Sequence, residues 1–308
     1  MANTATLKPA KPQIPPAAAV APPFAPAPKS APANAFAMLS HRGRVRHANQ
    51  DACAALPEHG AYVICDGIGG AAAGEVASHL AAEAFLHALS QPAPHPSRRI
   101  SPKTVSSPNP NNGAAHFPAN HPHTRLCEAV RAANQAVFRH SRKSPSFHGM
   151  GTTLVSALLV NAAADSPTPT LWLAHVGDSR CYRLRRGALA LLTEDHSLVE
   201  EQVRAGVLSR VQAGNSPIRN IITRAIGSRP TVEPDIAAHD ARSGDLYLLA
   251  SDGLTRELTD NDIARILTQS LARAASHAAL EAACQALIDA ANAHGGRDNI
   301  TVLLIACP

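Results

Sequence analysis

The stretch TLWLAHVGDSRCYRLRRGALALLT (residues 170–193) holds three short apolar or β-branched runs, at residues 170–177, 180–187 and 189–193. The turns between these runs are too short for a helical crossover, so at least part of the sheet must be antiparallel. This disfavours a doubly wound parallel fold. The rest of the chain mixes strand-like and helix-like segments without regular alternation. The sequence therefore predicts an α/β domain in which helices cover an antiparallel sheet.

The other elements are predicted from the same periodicities. Further strands are predicted at residues 61–66, 151–160, 245–252 and 299–306. Helices are predicted at residues 74–90, 124–143, 196–206, 260–272 and 275–294. Thr259 followed by Asp260 is a typical helix start, because a threonine side chain can cap the first free N–H groups.

Composition excludes several classes of protein. The chain has 308 residues and 45% hydrophobic content, enough for a buried core. Its six cysteines show no CxxC spacing, so neither a zinc site nor a disulfide framework is expected. The net charge is +5, but the basic residues are dispersed and aromatic residues make up only 3% of the chain, which disfavours nucleic-acid binding. There is no apolar run of about eighteen residues and no leader peptide, so a cytoplasmic location without membrane contact is expected.

Proline marks the segments outside the core. Nine of the 25 prolines lie in residues 1–32 and eight in residues 92–122. Residues 1–35 are therefore predicted to be a disordered tail, and residues 91–123 a surface loop within one domain spanning residues 36–308. The loop histidines, at 116, 121 and 123, have no predicted element to fix them, so a metal site there is rejected.

Aspartates recur where strand-like runs end or begin, each next to a glycine or an asparagine. These residues are Asp66, Asp178, Asp252 and Asp298. Any single one is more typical of a turn, because aspartate caps its own backbone and glycine accepts positive φ. Together, however, they could converge on one rim of a sheet. Such a cluster of oxygen ligands is what Mg²⁺ or Mn²⁺ prefers.

Eight motifs in order resemble those of the metal-dependent protein serine/threonine phosphatases of the PP2C (PPM) type, in their bacterial form. The motifs are RGRVRHANQDA (42–52), CDGIGGAAAGEVAS (65–78), MGTTL (150–154), HVGDSRCYRLRRG (175–187), TEDHSLVEEQVRAG (193–206), IITRAIG (221–227), SDGLTREL (251–258) and GGRDNITV (295–302). The resemblance covers residues 39–305. It implies a four-layer α-β-β-α sandwich with two largely antiparallel sheets. It also implies two Mn²⁺ or Mg²⁺ ions, with a weaker third.

The resemblance also implies roles for single residues. Asp66 would bridge the two ions, and the Gly67 carbonyl would be a ligand of the second. Asp252 and Asp298 would complete the first site. Asp51 would hydrogen-bond a water on a metal. Two such ions activate a shared water for attack on phosphorus.

Two further positions have an alternative interpretation. Arg46 would bind the substrate phosphate, because a planar guanidinium can hold two phosphate oxygens. The alternative is that Arg46 is a solvated surface residue, since the arginines at 42, 44 and 46 alternate as on the exposed face of a strand. Asp178 would help bind the third ion beside Asp252; the alternative is a turn cap between two hairpin strands.

Two departures from the family pattern have consequences. Gln50 stands where the family usually has glutamate, so weaker binding of the second metal is expected. Ile68 stands where some members have a histidine that protonates the leaving group. A metal-bound water must then donate this proton, or the seryl alkoxide of the substrate leaves without protonation. Residues 194–224 resemble the flap beside the active site.

The function implied is hydrolysis of phosphoserine and phosphothreonine in proteins by a monomer. Its partners would be phosphorylated proteins and a bacterial Ser/Thr kinase whose action it opposes. The alternative is a catalytically weakened, phosphatase-like binding or regulatory module. A phosphate loop at Gly67–Gly74 is rejected, because neither the P-loop nor the dinucleotide spacing of glycines is present.

Overall fold

The centre of the fold consists of two antiparallel sheets. The structure is a computed structural model that describes residues 34–92, 117–161, 168–214, 216–271 and 275–307. In chain order the strands are β1 (Ala35–His41), β2 (Asp51–Leu56), β3 (Ala61–Ile68), β4 (Gly151–Thr152), β5 (Leu154–Val160), β6 (Thr170–Val176), β7 (Arg180–Arg185), β8 (Ala188–Leu191), β9 (Asp235–Asp240), β10 (Leu246–Ala250) and β11 (Ile300–Ala306).

The strands divide into two sheets. One has the order β1-β11-β10-β7-β8, and the other has the order β2-β3-β5-β6-β9 with β4 paired to β3. All the pairings between these strands are antiparallel.

Helices cover the outer face of each sheet. In chain order the described helices are α1 (Ala71–Ser90), α2 (Pro122–Ser141), α3 (Leu198–Arg204), α4 (Arg210–Gly214), α5 (Asp252–Thr255), α6 (Asp260–Ser270) and α7 (His277–Ala293), with short 3-10 helices at Pro57–His59 and Pro145–Phe147. Of these, α1 and α2 cover one sheet, and α6 and α7 cover the other. The predicted helix start at Thr259 is confirmed, since its hydroxyl accepts the Asp262 N–H. Ser276 caps α7 in the same way.

Strand β3 shows how two-residue periodicity builds the layers. Tyr62 and Ile64 are buried among residues of both sheets. Val63 and Cys65 point to the opposite face and pack with α1 and α2. A third cluster joins the first sheet to α6 and α7. Three cores separate four layers, so the predicted α-β-β-α sandwich is confirmed.

The link from β6 to β7 differs from the prediction. The two strands follow each other closely in sequence, but β6 pairs with β5 and β9, while β7 pairs with β8 and β10. The chain therefore passes from one sheet to the other at Asp178, and the hairpin interpretation of this turn was wrong. Only the β7–β8 connection is a hairpin. A short turn fixes a change of direction, but it does not require its two strands to pair.

Several element boundaries also differ from the prediction. Helix α1 begins at residue 71 rather than near Gly74, because the Gly70 carbonyl already accepts the N–H groups of Ala73 and Gly74. Helix α2 begins at Pro122, two residues early, with His121 as its N-cap. His121 and His123 are therefore fixed by structure, contrary to the sequence interpretation, and both pack near Trp172.

Three strands were not predicted, namely β1, β2 and β9. Strand β9 lies at a sheet edge, and its residues are largely exposed, so it lacks an apolar pattern. The predicted tail lies outside the described residues up to residue 33, and the predicted loop does so at residues 93–116. The single-domain boundary remains a prediction. Among the described helices, none combines the length and apolar character needed to cross a membrane.

Candidate active site

The predicted aspartates come from both sheets and meet at one end of the sandwich. Asp66 lies in β3, directly opposite Asp51 of β2 in the sheet register. Asp178 lies in the turn from β6 to β7, Asp252 is the first residue of α5, and Asp298 precedes β11. The negative charges of the other four all act on the Asp66 carboxylate. The structure therefore brings together the five carboxylates that the sequence singled out.

Asp51 is held rigidly by two hydroxyl groups. Its Oδ2 accepts hydrogen bonds from Ser251 Oγ at 2.8 Å and from Thr301 Oγ1 at 2.6 Å. Both donors come from the other sheet, so these bonds tie the two sheets together beneath the site. Neither hydroxyl was identified from sequence, although Ser251 stands next to the predicted Asp252.

Two threonines fix the backbone of Asp66. The Thr153 hydroxyl accepts the Asp66 N–H at 2.9 Å, and the Thr152 hydroxyl donates to the Asp66 carbonyl at 2.8 Å. The Thr153 N–H donates to the same carbonyl at 2.8 Å. These bonds use no side-chain atom of Asp66, so its carboxylate is positioned and remains available.

Gly67 is required for the close approach of three segments. A Cβ on Gly67 would lie 2.2 Å from the Gly74 carbonyl oxygen and 2.5 Å from the Gln50 carbonyl oxygen. Both neighbours are backbone atoms that cannot swing away. Glycine at this position therefore allows the end of β3 to pack against the start of α1.

Gln50 lies at this junction. Its Nε2 donates to the Gly70 carbonyl at 3.2 Å, and its own carbonyl accepts the Gly67 N–H at 3.2 Å. A glutamate could not donate the first of these bonds. Weaker metal binding because of Gln50 stays a prediction.

Burial and mutual repulsion disfavour the charged form of these carboxylates. Burial, despite the two hydroxyl hydrogen bonds, raises the pKa of Asp51 to about 6. Burial and the neighbouring Asp252 charge raise the pKa of Asp178 to about 7. Burial raises the pKa of Asp252 to about 6, against the opposing effect of Arg256. The pKa of Asp66 is raised by burial and then by the other four charges.

Three buried carboxylate oxygens in the cluster have no hydrogen-bond partner in the described structure. They are the Oδ1 atoms of Asp51, Asp178 and Asp252. An unpaired buried carboxylate oxygen is costly unless a cation or a donor satisfies it. Because hard divalent cations prefer carboxylate and carbonyl oxygens, the residues present fit the predicted metal centre.

Two arginines contact the cluster. The Arg46 Nη2 lies 2.7 Å from Asp298 Oδ2, and this hydrogen bond raises the pKa of Arg46. Arg256 contacts Asp252, lies 3.5 Å from Asp178 and lies 3.7 Å from Asp298. Arg256 was not identified from sequence, although a lone basic residue four positions after Asp252 on a short helix could have suggested it.

The segment that carries Arg46 is a loop rather than a strand. Residues 42–50 contain no strand, so the exposed-strand interpretation was wrong. Asn299 fixes this loop, because its Nδ2 donates to the carbonyls of Arg42 and Ala48 and its Oδ1 accepts the Gln50 N–H. Asn299 thereby holds the Arg46 loop next to Asp298.

The segment predicted as a flap, residues 194–224, contains α3 and α4. Its two ends pair with each other through Leu198 N–H to Ile221 O and Thr223 N–H to His196 O. The His196 N–H donates to the Gly177 carbonyl, which places this segment beside Asp178. The flap therefore borders the carboxylate cluster.

Two stacked histidines anchor the flap. The His175 and His196 rings lie 4.7 Å apart at 20°. The His196 Nδ1 accepts the Gly177 N–H, so in the neutral ring the proton is on Nε2, 3.2 Å from Asp235 Oδ2. Burial, and then His175, lower the pKa of His196 to about 4, which keeps the ring neutral. A metal ion would need the lone pair of His196 Nε2, but this atom carries the proton. The group of His175, His196 and Asp235 therefore fits an anchor of the flap rather than a metal site.

Replacing Asp235 by alanine is expected to loosen the flap. Asp235 also receives Arg224 Nη1 at 2.6 Å, so one carboxylate contacts both ends of the segment. The ion pair is half-exposed, and its loss should increase trypsin cleavage after Arg210 or Arg219 by about fivefold. Asp262→Ala, which breaks an exposed pair on α6, is the matched control. Equal cleavage rates in wild type and Asp235→Ala would contradict the anchoring role.

Comparisons with known proteins agree with this geometry. The Protein phosphatase 2C family profile matches residues 40–290. The serine/threonine phosphatase stp of Listeria monocytogenes is 33% identical over 267 residues, which are 86% of this chain and 92% of that protein. The chain also resembles the S. agalactiae serine/threonine phosphatase structure, with a TM-score of 0.72, 31% identity and coverage of 89% and 100%.

A second solved structure bears on the metal centre. The catalytic domain of the phosphatase PstP, solved in complex with two manganese ions, superposes with a TM-score of 0.69. It is 32% identical, and the alignment covers 89% of this chain and 97% of that one. The profile match over most of the described domain and the identity to stp lead to one conclusion. The chain belongs to the protein phosphatase 2C family of protein serine/threonine phosphatases.

Proposed function

We propose that the protein hydrolyses phosphoserine and phosphothreonine side chains of proteins with two Mn²⁺ or Mg²⁺ ions as cofactors. The observation that carries this proposal is the convergence of five carboxylates with three buried, unpartnered oxygens. The two manganese ions of the related PstP structure support the choice of cofactor.

The chain's own residues divide into ion ligands and a phosphate ligand. Asp66, the Gly67 carbonyl, Asp252 and Asp298 would hold the two ions, and Asp178 with Asp252 would hold a weaker third. When bound, the ions supply an activated water and offset the negative charge of the phosphate. Asp51, fixed by Ser251 and Thr301, would orient water at the site.

Arg46 would hold two phosphate oxygens through its planar fork. Its guanidinium is half-exposed and lies beside Asp298, so a phosphate at the carboxylate cluster is within its reach. The Ile68 side chain has no acidic proton, so it cannot protonate the leaving oxygen.

The test uses phosphoserine and phosphothreonine peptides with Mn²⁺ in the buffer and inorganic phosphate as the readout. We expect release of phosphate from both peptides and none in the presence of a chelator. Release that continues at the same rate in the chelator would contradict the proposed chemistry.

A second candidate function is a phosphatase-like binding module with weakened catalysis. Gln50 favours it, because its side chain donates to the Gly70 carbonyl where the family usually has a carboxylate. Titration calorimetry with Mn²⁺ discriminates the two functions. Two tight sites per chain support the enzyme, and the absence of paired tight sites supports the module.

The metal-free protein is expected to become more stable when Asp252 is replaced by asparagine. The pKa of Asp252 in the folded chain is raised from 3.8 to about 6, so charging it costs stability as pH rises through this range. Since the folded state binds the extra proton, wild-type stability falls with rising pH. The asparagine variant avoids this cost, and should gain about 1–2 kcal/mol at pH 8 in the free energy of unfolding.

Urea unfolding in a chelator measures this effect, and the gain should shrink towards pH 4. With Mn²⁺ added, wild type should gain stability and Asp252→Asn should gain much less. A metal-free asparagine variant that is less stable than wild type at pH 8 would refute the electrostatic account.

The biological setting is proposed by analogy. A protein with this activity would oppose a Ser/Thr kinase acting on the same phosphoproteins. Phosphoproteomics of a deletion strain tests this, because sites that accumulate phosphate identify the substrates. If no site accumulates phosphate, this would argue against a dedicated target.

A further inference from the structure

Two cavities lie side by side at the carboxylate cluster. The larger, of about 460 Å³, lies between the flap helices α3 and α4 and the residues Asp178 and Asp252. The smaller, of about 220 Å³, lies beside Arg46 and Asp298. Three residues line both cavities, and we refer to Arg219, Arg256 and Arg297 as the arginine trio.

The smaller cavity has an excess of positive charge. It is lined by Arg46 and the arginine trio, against two carboxylates, Glu257 and Asp298. Both carboxylates already have partners. Glu257 accepts the Arg297 backbone N–H at 3.1 Å and lies 3.8 Å from the Arg297 Nη1, and Asp298 accepts from Arg46 at 2.7 Å.

The other arginines of the larger cavity are neutralised by nearby carboxylates. Arg180 makes a bidentate pair with Asp195 at 2.7–3.2 Å, and Arg210 lies 3.3 Å from Glu200. Arg219 differs, because within the described residues it contacts no carboxylate and only its Nη1 donates, at 3.4 Å, to the Gly214 carbonyl. Within the trio, the positive charge without a carboxylate partner is therefore that of Arg219, whereas Arg297 faces Glu257 and Arg256 faces the carboxylate cluster.

The positive charge of Arg256 is less well compensated by its carboxylate partners when cations are bound. Its partners Asp178, Asp252 and Asp298 are the carboxylates that would hold the ions. Cations on those oxygens offset the negative charge that now balances the Arg256 guanidinium. The Arg256 guanidinium, whose side chain is partly exposed, is then available to bind another anion.

We propose that the arginine trio forms a subsite for a second anionic group on the substrate chain, namely an acidic or phosphorylated residue close to the phosphoresidue being hydrolysed. This inference rests on the proposed function, because the phosphate at the ions and Arg46 sets the position of the peptide. The trio lines both cavities beside that position, with Arg219 on the flap, so a side chain a few residues away reaches it. Guanidinium groups bind carboxylate and phosphate oxygens in the same forked geometry.

The experiment compares kcat/KM for three phosphothreonine peptides with Mn²⁺. Their flanking residues are neutral, or include two glutamates, or include a nonhydrolysable phosphonate analogue of phosphoserine. Wild type is expected to prefer both anionic peptides by about fivefold, because each exposed ion pair contributes modestly. Preference for the phosphonate peptide alone would support the subsite and assign it to a second phosphate.

The double variant Arg219→Gln/Arg297→Gln should reduce this preference to about twofold. Both side chains are exposed, so the fold should tolerate the change. Arg139→Gln, on the exposed face of α2, is the matched control and should keep the preference of wild type. High salt should also weaken the preference by screening.

Two outcomes would overturn the proposal. In one, wild type hydrolyses the neutral peptide as efficiently as the anionic peptides; in the other, the double variant keeps the full preference for the anionic peptides. Fluorescence anisotropy separates this failure from failure of the proposed function. It measures binding of the same peptides with the phosphothreonine replaced by a phosphonate analogue. If wild type hydrolyses none of the peptides, the ratio of these affinities in wild type and double variant still tests the subsite.

Discussion

Replacing Asp66 by alanine is expected to lower kcat/KM for a phosphothreonine peptide by about a thousandfold. Asp66 lies at the centre of the cluster, where the charges of all four other carboxylates act on it. Its removal would take away the proposed bridging ligand, and metal ions contribute several kcal/mol to such reactions. Phosphate release at saturating Mn²⁺ measures the loss.

The fold of this variant should be intact. The backbone of Asp66 is fixed by Thr152 and Thr153 through main-chain atoms, which alanine retains. Removing a buried carboxylate also relieves repulsion in the metal-free state. Asp289→Ala, which removes an exposed carboxylate on α7, serves as the control. Activity of Asp66→Ala within tenfold of wild type would mean that Asp66 does not hold the ions.

Replacing Arg46 by alanine is expected to lower kcat/KM by about a hundredfold, through loss of two charge-assisted hydrogen bonds to phosphate. Arg46→Lys should recover only part of this loss, because an ammonium keeps the charge but lacks the planar fork. Steady-state kinetics on the phosphothreonine peptide measures both variants, and the binding of Mn²⁺ should change little.

Arg42→Ala is the matched control for Arg46, since it removes the same charge from the same loop. The Arg42 side chain is exposed, and the loop is held through the Arg42 carbonyl, which the substitution retains. Equal losses in both variants would indicate a general effect of charge and would contradict a specific phosphate contact by Arg46.

The layers of the fold could be predicted in part from the sequence. Apolar runs such as β11 are buried along their whole length and are recognisable on their own. Strand β9 could not be found, because an exposed edge strand has no apolar pattern to identify it. The turn at Asp178 predicted an antiparallel pair, whereas the chain there changes sheet. Local sequence does not specify which partner a strand selects.

The candidate site was more predictable than the fold, because four of its five carboxylates stand at strand ends next to glycine or asparagine. What sequence alone could not reveal are contacts between distant segments. Arg256 meets Asp178 because β7 pairs with β10, and Thr301 meets Asp51 because the two sheets pack face to face. The role of these residues depends on tertiary packing rather than on local pattern.

Two-metal catalysis by this protein is tested by phosphate release during stepwise addition of Mn²⁺ to metal-stripped protein, with a phosphothreonine peptide as substrate. We expect no turnover before Mn²⁺ is added, and a rate that rises until two ions are bound per chain. Turnover by the stripped protein at its full rate, or no phosphate release from the Mn²⁺-saturated protein, would contradict two-metal catalysis.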